Sequence, residues 1–272
     1  MNDKEPPRRR GRPRKDSVSD GSALQALGRG IEVLAALADE GRGITLTRLA
    51  ARLDQPTSSL HRVLVTLEGR GLAEMDPMTQ HWSVGAEAFR IGSAFVRRNA
   101  LVERARPILQ ALVDETGETA NLGVARTGSV LFLAQAETPE MIRACIPPGT
   151  LAPMHASGIG KALLAHQTVD ELRGHLGAGL ARFTPQTLTA LPDLMAALEQ
   201  VRARGFALDD EERTPGMRCI AAPVFDLTGR AVAGMSVSGP LTRMGNGRIT
   251  ALADCVMQGA ADLSRHLGAA GR

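Results

Sequence analysis

Apolar residues in the first third of the chain recur at helical spacing. Leu27, Ile31, Leu34 and Leu37 fall at i, i+4, i+7 and i+10 and predict one helical stripe, which Gly41 and Gly43 end. Thr45 is placed to cap a second helix, LTRLAARL, with Leu46, Leu49, Ala50 and Leu53 turned inward. A short turn at Asp54-Gln55 follows. Pro56 then opens a third helix with Thr57, Ser58 and Ser59 in its first turn and Leu60, Val63, Leu64 and Leu67 as its stripe. After Gly71 two short extended runs, LAEM and HWSV, flank Asp76-Pro77-Met78-Thr79 and predict a hairpin. Three short helices, a tight turn between the second and third, and a hairpin describe a winged helix-turn-helix.

A helical pattern then runs from about residue 86 to 115, interrupted at Asn99 and Pro107. This predicts a linker helix to about Arg98, a second helix after it, and a domain boundary between them. Beyond it ANLGVART, GSVLFLAQAE and MIRACIP read as strands, and GIGKALLAHQ as a glycine-broken helix. A helical region over 192–204 leads to FALDDEE. CIAAPVFD and AVAGMSVSGP are strands with a turn at Gly229, and a helix over 247–267 ends the chain. The second part is therefore an α+β domain around one sheet. The expected division is 1–22 a basic arm, 23–85 the winged helix-turn-helix, 86–100 the linker helix and 101–272 the second domain.

Composition narrows the function. With 43% apolar and 22% charged residues the chain has ordinary globular usage. No run approaches the ~18–20 uncharged apolar residues of a membrane span, and MNDKEPPRRRGRPRK has no apolar core of a secretory signal. A cytoplasmic protein without membrane contact is expected. Cys145, Cys219 and Cys255 are odd in number and lack CxxC spacing, against a disulfide framework or a zinc site. Six Phe, one Trp and no Tyr argue against a stacking platform for single strands. The net charge of +3 conceals an asymmetry: residues 1–15 carry +5 and leave −2 for the rest. Such a block reads as an arm for a polyanion, and Gly11-Arg12-Pro13 between further arginines resembles an AT-hook. There Gly permits close approach, Pro keeps the strip extended, and Arg12 and Arg14 would meet the narrow minor groove.

The second helix of a helix-turn-helix enters the major groove by its N-terminal part. The candidates there are Thr57, Ser58, Ser59, His61 and Arg62. Short hydroxyls at a helix start suit phosphate oxygens, and an arginine suits guanine O6 and N7. Gln55, Arg48 and Arg52 are candidate phosphate contacts. The competing reading is a small protein-binding bundle, because residues 24–84 hold six Arg against seven acids.

Taken in order, TLTRLAARLDQPTSSLHRVLVTLEGRGLAE, LAPMHASGIGKALLA, GFALDDEERTPGMRCIAAPVFD and GMSVSGP resemble the IclR family of bacterial transcription regulators, over about residues 23–267. The resemblance implies a winged helix-turn-helix, a linker helix and a GAF-like effector-binding domain. It implies homodimers or dimers of dimers on operator DNA; no ligand spacing points to a metal and no local motif to catalysis, so no cofactor, metal or enzyme activity is expected. It further implies a pocket for a small 2-oxo acid built from Gly158 and Ile159, Asp209 (Asp210 as alternative), Cys219, Ser236 and Ser238, walled by Met141, Ala144, Ala152 and Met217. Ser236 and Ser238, two apart on a strand, share one face. Backbone N–H groups at the start of the GIGKALLA helix would face a carboxylate. A pocket this polar suits glyoxylate or pyruvate better than an aromatic acid, with glyoxylate first. An aromatic or other carboxylic acid is the alternative effector. The rivals are a cysteine enzyme using Cys219, His155 and Asp209, and an architectural DNA-binding protein without effector.

Overall fold

The computed structural model describes residues 19–98, 100–176 and 179–269, so the arm with Arg12 and Arg14 lies outside the described residues. The chain divides into two compact units, one ending at Phe95 and the other beginning at Val96. Among the described residues no helix is long and apolar enough to cross a membrane.

The first unit holds α1 (Ser19–Ala38), β1 (Ile44–Thr45), α2 (Leu46–Leu53), α3 (Thr57–Glu68), β2 (Ala73–Met75), β3 (His81–Val84) and α4 (Ala86–Arg98), which runs across the boundary. Thr45 caps α2 by accepting the Arg48 N–H at 3.4 Å, one of the donors a helix start leaves without an internal partner. Val33, Leu37, Leu49, Leu60, Leu64 and Trp82 form the core. The hairpin becomes a three-stranded wing of order β1-β3-β2, because Ile44 pairs with Trp82 on a strand not anticipated from sequence. Asp76 closes its tip, accepting from Met78 N and Thr79 Oγ1 at 2.8 Å each.

The stripe predicted on α1 is buried only toward its C-terminal end. Val33, Ala36 and Leu37 are buried, whereas Leu27 and Ile31 are 63% and 60% exposed. The core of so short a bundle needs only one turn and a half of α1. The N-terminal apolar positions instead line a groove of about 900 Å³ with Val63 and Leu67 of α3 and Ile91 of α4.

The second unit is a six-stranded antiparallel sheet of order β6-β5-β4-β9-β8-β7. In chain order its elements are α5 (Ala100–Thr116, with Pro107 inside), β4 (Thr119–Arg126), β5 (Ser129–Ala136), β6 (Leu151–Pro153), α6 (Gly158–Leu164), α7 (Val169–Leu176), α8 (Leu191–Arg204), β7 (Ala207–Asp210), β8 (Met217–Phe225), β9 (Ala231–Pro240) and α9 (Ile249–His266). α5 and α9 cover one face, against Leu122, Ile220, Met235 and Val237. α6 and α8 cover the other, against Val130, Phe132, Ala207 and Ala221. Alternation along each strand thus feeds two cores.

One expectation fails here, and one helix is not predicted from sequence. MIRACIP is irregular rather than a strand: Pro147 ends it and Pro148 follows, and the edge of β5 is taken by β6 instead. α7 was not foreseen, because VDELRGHL is too polar to show a stripe.

α6 is seated by contact between backbones. A Cβ on Gly160 would lie 2.1 Å from the Met154 carbonyl oxygen, and Gly234, paired with Gly123, leaves the notch that Ile159 fills. Glycine at these positions lets the helix touch the sheet.

Candidate functional site

On α3 the buried stripe Leu60, Leu64 and Leu67 fixes what faces outward. At 100° per residue Ser58, Arg62 and Val65 lie opposite that stripe. Thr57 and His61 flank them on one side, and Ser59, Val63 and Thr66 turn toward the α1 groove. Arg48, Thr57, Ser58, His61 and Arg62 are exposed, while Gln55 and Ser59 are half-buried. The tight turn before α3 puts Asp54 in the left-handed region, φ 50°, with Gln55 N–H bonded to the Ala50 carbonyl. No side chain caps α3, so its first N–H groups are open to an anion. Arg52 is placed otherwise than as a phosphate contact: its guanidinium holds Asp39 at 2.5 Å and Glu40 at 2.9 Å, bracing α2 against the end of α1.

The second constellation is built by strand register. Thr119 of β4 faces Ser238 of β9, Ser238 faces Cys219 of β8, and Cys219 faces Asp209 of β7. Residues directly opposite one another in antiparallel strands project to the same face, so four polar side chains form one row across four strands. The adjacent row on that face runs Gln135, Asn121, Ser236, Ala221. Gly158, opening α6, lies over the rows so closely that a Cβ there would sit 2.8 Å from the Cys219 sulfur. Gln135 Nε2 donates to Asn121 Oδ1 at 2.9 Å, and Asn121 Nδ2 donates to Ser238 Oγ at 3.5 Å. The hydroxyls of Thr119 and Ser236 are buried and make no hydrogen bond among the described residues. Asp209 and Cys219 are half-buried at this end of the row.

A buried charge cluster adjoins the Asp209 end. Lys161 of α6 is ion-paired with Glu212 and donates to the Leu208 carbonyl at 2.5 Å. Asp209 Oδ1 accepts the Glu212 N–H at 2.9 Å. Thr184 donates to the Glu211 carbonyl at 2.7 Å and Thr187 to the Glu212 carbonyl at 2.5 Å, holding a turn in which Glu211 has φ 61°. Burial raises the Glu212 carboxyl to about 7 against the pull of Lys161, and raises Asp209 as well. Burial, helped by the Asp209 charge, pushes the Cys219 thiol to about 11, although the Ser238 and Ser236 hydroxyls near the sulfur favour the thiolate. A thiol held protonated is a poor nucleophile. His155 is no base for it: its Nε2 lies 2.9 Å from the Ala181 carbonyl and its ring lies against Phe183.

The structure brings Gly158, Ile159, Asp209, Cys219, Ser236 and Ser238 together, and leaves Met141 outside, 94% exposed in the irregular segment. Met217 follows the row on the same face of β8, half-buried. Asp210 faces the other way and holds Arg218 at 2.7 Å, and Arg143 holds Glu137. The cation beside the row is Lys161, which sequence reading missed together with Thr119, Asn121 and Glu212. Among the described residues no group of three His, Cys, Asp or Glu side chains is placed to hold a metal ion.

Two family models match the chain: the IclR helix-turn-helix domain over residues 26–77, and the bacterial transcriptional regulator IclR C-terminal region over residues 93–265. The chain is 55% identical over 262 residues to the HTH-type transcriptional regulator BhcR of Paracoccus denitrificans, covering 94% of each protein. It is 37% identical over 262 residues to the HTH-type transcriptional repressor AllR of Salmonella paratyphi A, covering 96% of each. Among solved structures, an IclR transcriptional regulator from Alicyclobacillus acidocaldarius matches with a TM-score of 0.78 at 26% identity, over 89% of this chain and 98% of that one.

Proposed function

The chain belongs to the IclR family of bacterial transcription regulators, which are non-enzymatic DNA-binding proteins, and on that footing we propose that its second unit senses a small 2-oxo acid, glyoxylate first. The observation that carries this reading is the polar row on the sheet, with two buried hydroxyls that lack partners. A buried donor without an acceptor is costly, and an oxo acid of two or three carbons supplies acceptors at both ends. The close approach of Gly158 to Cys219 crowds the row from above and disfavours an aromatic ring. Effector binding shifts operator affinity only if the ligand binds the two functional states unequally.

In the first unit α3 enters the major groove, with Arg62 and Ser58 at its centre, Thr57, Ser59 and His61 beside them, and Arg48 and Gln55 on phosphates. Arg12 and Arg14 of the arm enter the adjoining minor groove. The Leu27, Ile31 and Ile91 side of the apolar groove is covered by a second copy, which leaves Ser59 and Arg62 to the DNA and gives a homodimer that can pair into a tetramer on the operator.

Calorimetry against glyoxylate, pyruvate and a set of aromatic acids tests the effector, followed by gel shifts with the protein's own promoter fragment. Ser236→Ala and Ser238→Ala are expected to weaken glyoxylate binding and to leave effector-free DNA binding intact. Normal responses from both variants would overturn the site. Tight binding of an aromatic acid with none of glyoxylate would transfer the reading to the aromatic class.

A further inference from the structure

We infer that Thr119 is a specificity-determining residue of the effector site, taking the carboxylate end of the ligand together with Ser236. The inference rests on the site proposed above and extends it to a strand, β4, that contributes none of the residues named there from sequence.

Thr119 is fully buried on the sheet face that carries Ser238, Cys219 and Asp209. Its hydroxyl has no hydrogen-bond partner among the described residues, and Ser236 Oγ, in the adjacent row, is in the same condition. Its place is fixed from both sides. Glu118, the residue before it, holds Arg243 through two contacts of 2.7 Å. Asn121, the next residue on its face, is tied to Gln135 and Ser238. A valine of the same shape would fill the position without leaving a polar atom dry, so packing alone does not call for threonine.

The row also has a polarity. Its β7 end carries Asp209, with Glu212 beside it, and both repel an anion when ionised. Its β4 end carries only hydroxyls and an amide, which can donate. A 2-oxo acid entering the row therefore directs its carboxylate toward Thr119 and Ser236 and its oxo end toward Cys219, in place of the carboxylate expected from sequence at the start of α6, where the Gly160 N–H is already taken by Ser157 Oγ. Lys161 does not reverse this orientation, because its ammonium is already engaged by Glu212 and the Leu208 carbonyl.

The test compares Thr119→Val, Thr119→Ser, Thr119→Ala and Ser236→Ala in the full-length protein. Glyoxylate affinity is read by calorimetry, stability by thermal melting and fold integrity by operator binding without effector. Thr119→Val is expected to weaken glyoxylate about tenfold, the loss of one hydrogen bond to a charged group. Its effector-free melting temperature should stay unchanged or rise, since an unpartnered hydroxyl has been removed. Thr119→Ser should keep near-normal affinity. If Ser236→Ala weakens binding while Thr119→Val binds normally, the Thr119 inference is wrong and the site stands. If neither weakens binding, the site itself is wrong. A Thr119→Val protein with a lowered melting temperature and unchanged affinity assigns Thr119 to packing and overturns the inference. Should Thr119→Val fail to bind operator, Thr119→Ala carries the same comparison.

Discussion

Glu212 sits where two demands conflict. Its carboxylate pairs with Lys161, yet Glu212 Oε2 is buried without a partner and burial raises the group to about 7 from an ordinary 4.5. The folded protein therefore holds this proton to higher pH than the unfolded chain does. Its contribution to stability is complete below about pH 4.5 and is lost as pH rises through about 7. Asp209, also raised by burial, acts in the same direction. The loss across that window is on the order of 3 kcal/mol. Melting temperature should fall between pH 5 and pH 8. In Glu212→Gln, which cannot ionise, melting should come closest to wild type near pH 5, where Glu212 is itself protonated, and the slope should be flat or reversed. A wild-type curve that climbs across this range would mean that Lys161 keeps the carboxylate ionised.

Elements show what local sequence can and cannot tell. α2 and α3 were legible because a capping threonine, a proline at a helix start and a 3.6-residue stripe are local signals. The pairing of Ser236 with Ser238 on one face followed from the two-residue period alone. Thr119 and Lys161 were not legible, because their roles arise from partners far along the chain. Thr119 matters through β4 pairing with β9, and Lys161 through Glu212, 51 residues later. Met141, which the family resemblance puts in the pocket wall, lies exposed in an irregular segment, because the edge of β5 pairs with β6. α6 is the element on which the site depends most. In Gly160→Ala the new Cβ meets the Met154 carbonyl oxygen at 2.1 Å and its Cα at 2.5 Å, both backbone atoms that cannot rotate away. A destabilisation of about 3 kcal/mol is expected from denaturant unfolding, with loss of the effector response; a change under about 0.5 kcal/mol would mean that α6 can shift freely on the sheet. On α3, Arg62→Ala should reduce operator affinity by about 1–3 kcal/mol and relax preference at one base pair. Arg48→Ala should weaken all sequences alike. A competition gel shift against a point-mutated operator separates the two, and equal losses on both duplexes would make Arg62 a phosphate contact.

At the scale of the whole molecule the charge distribution decides how DNA is held. Outside residues 1–15 the chain sums to −2, and in the winged unit Arg52 is already engaged by Asp39 and Glu40. A folded module of this charge has few cations to set against phosphates, so on the proposed reading most counterion release is expected from the arm, with seven Lys and Arg in fifteen residues. Each phosphate neutralised contributes about −0.9 to the slope of log affinity against log salt. Deleting residues 1–15 is therefore expected to flatten the slope by up to about 6 if all seven cations engage, and by about 2 if only Arg12 and Arg14 do. The loss of affinity should be largest on A·T-rich flanks, where the minor groove is narrow and its potential most negative, and the response to glyoxylate should survive. Gel shifts at several salt concentrations, on operators with A·T-rich and G·C-rich flanks, measure both quantities. An unchanged slope would place the arm away from DNA and return the whole electrostatic contribution to α2, α3 and the wing.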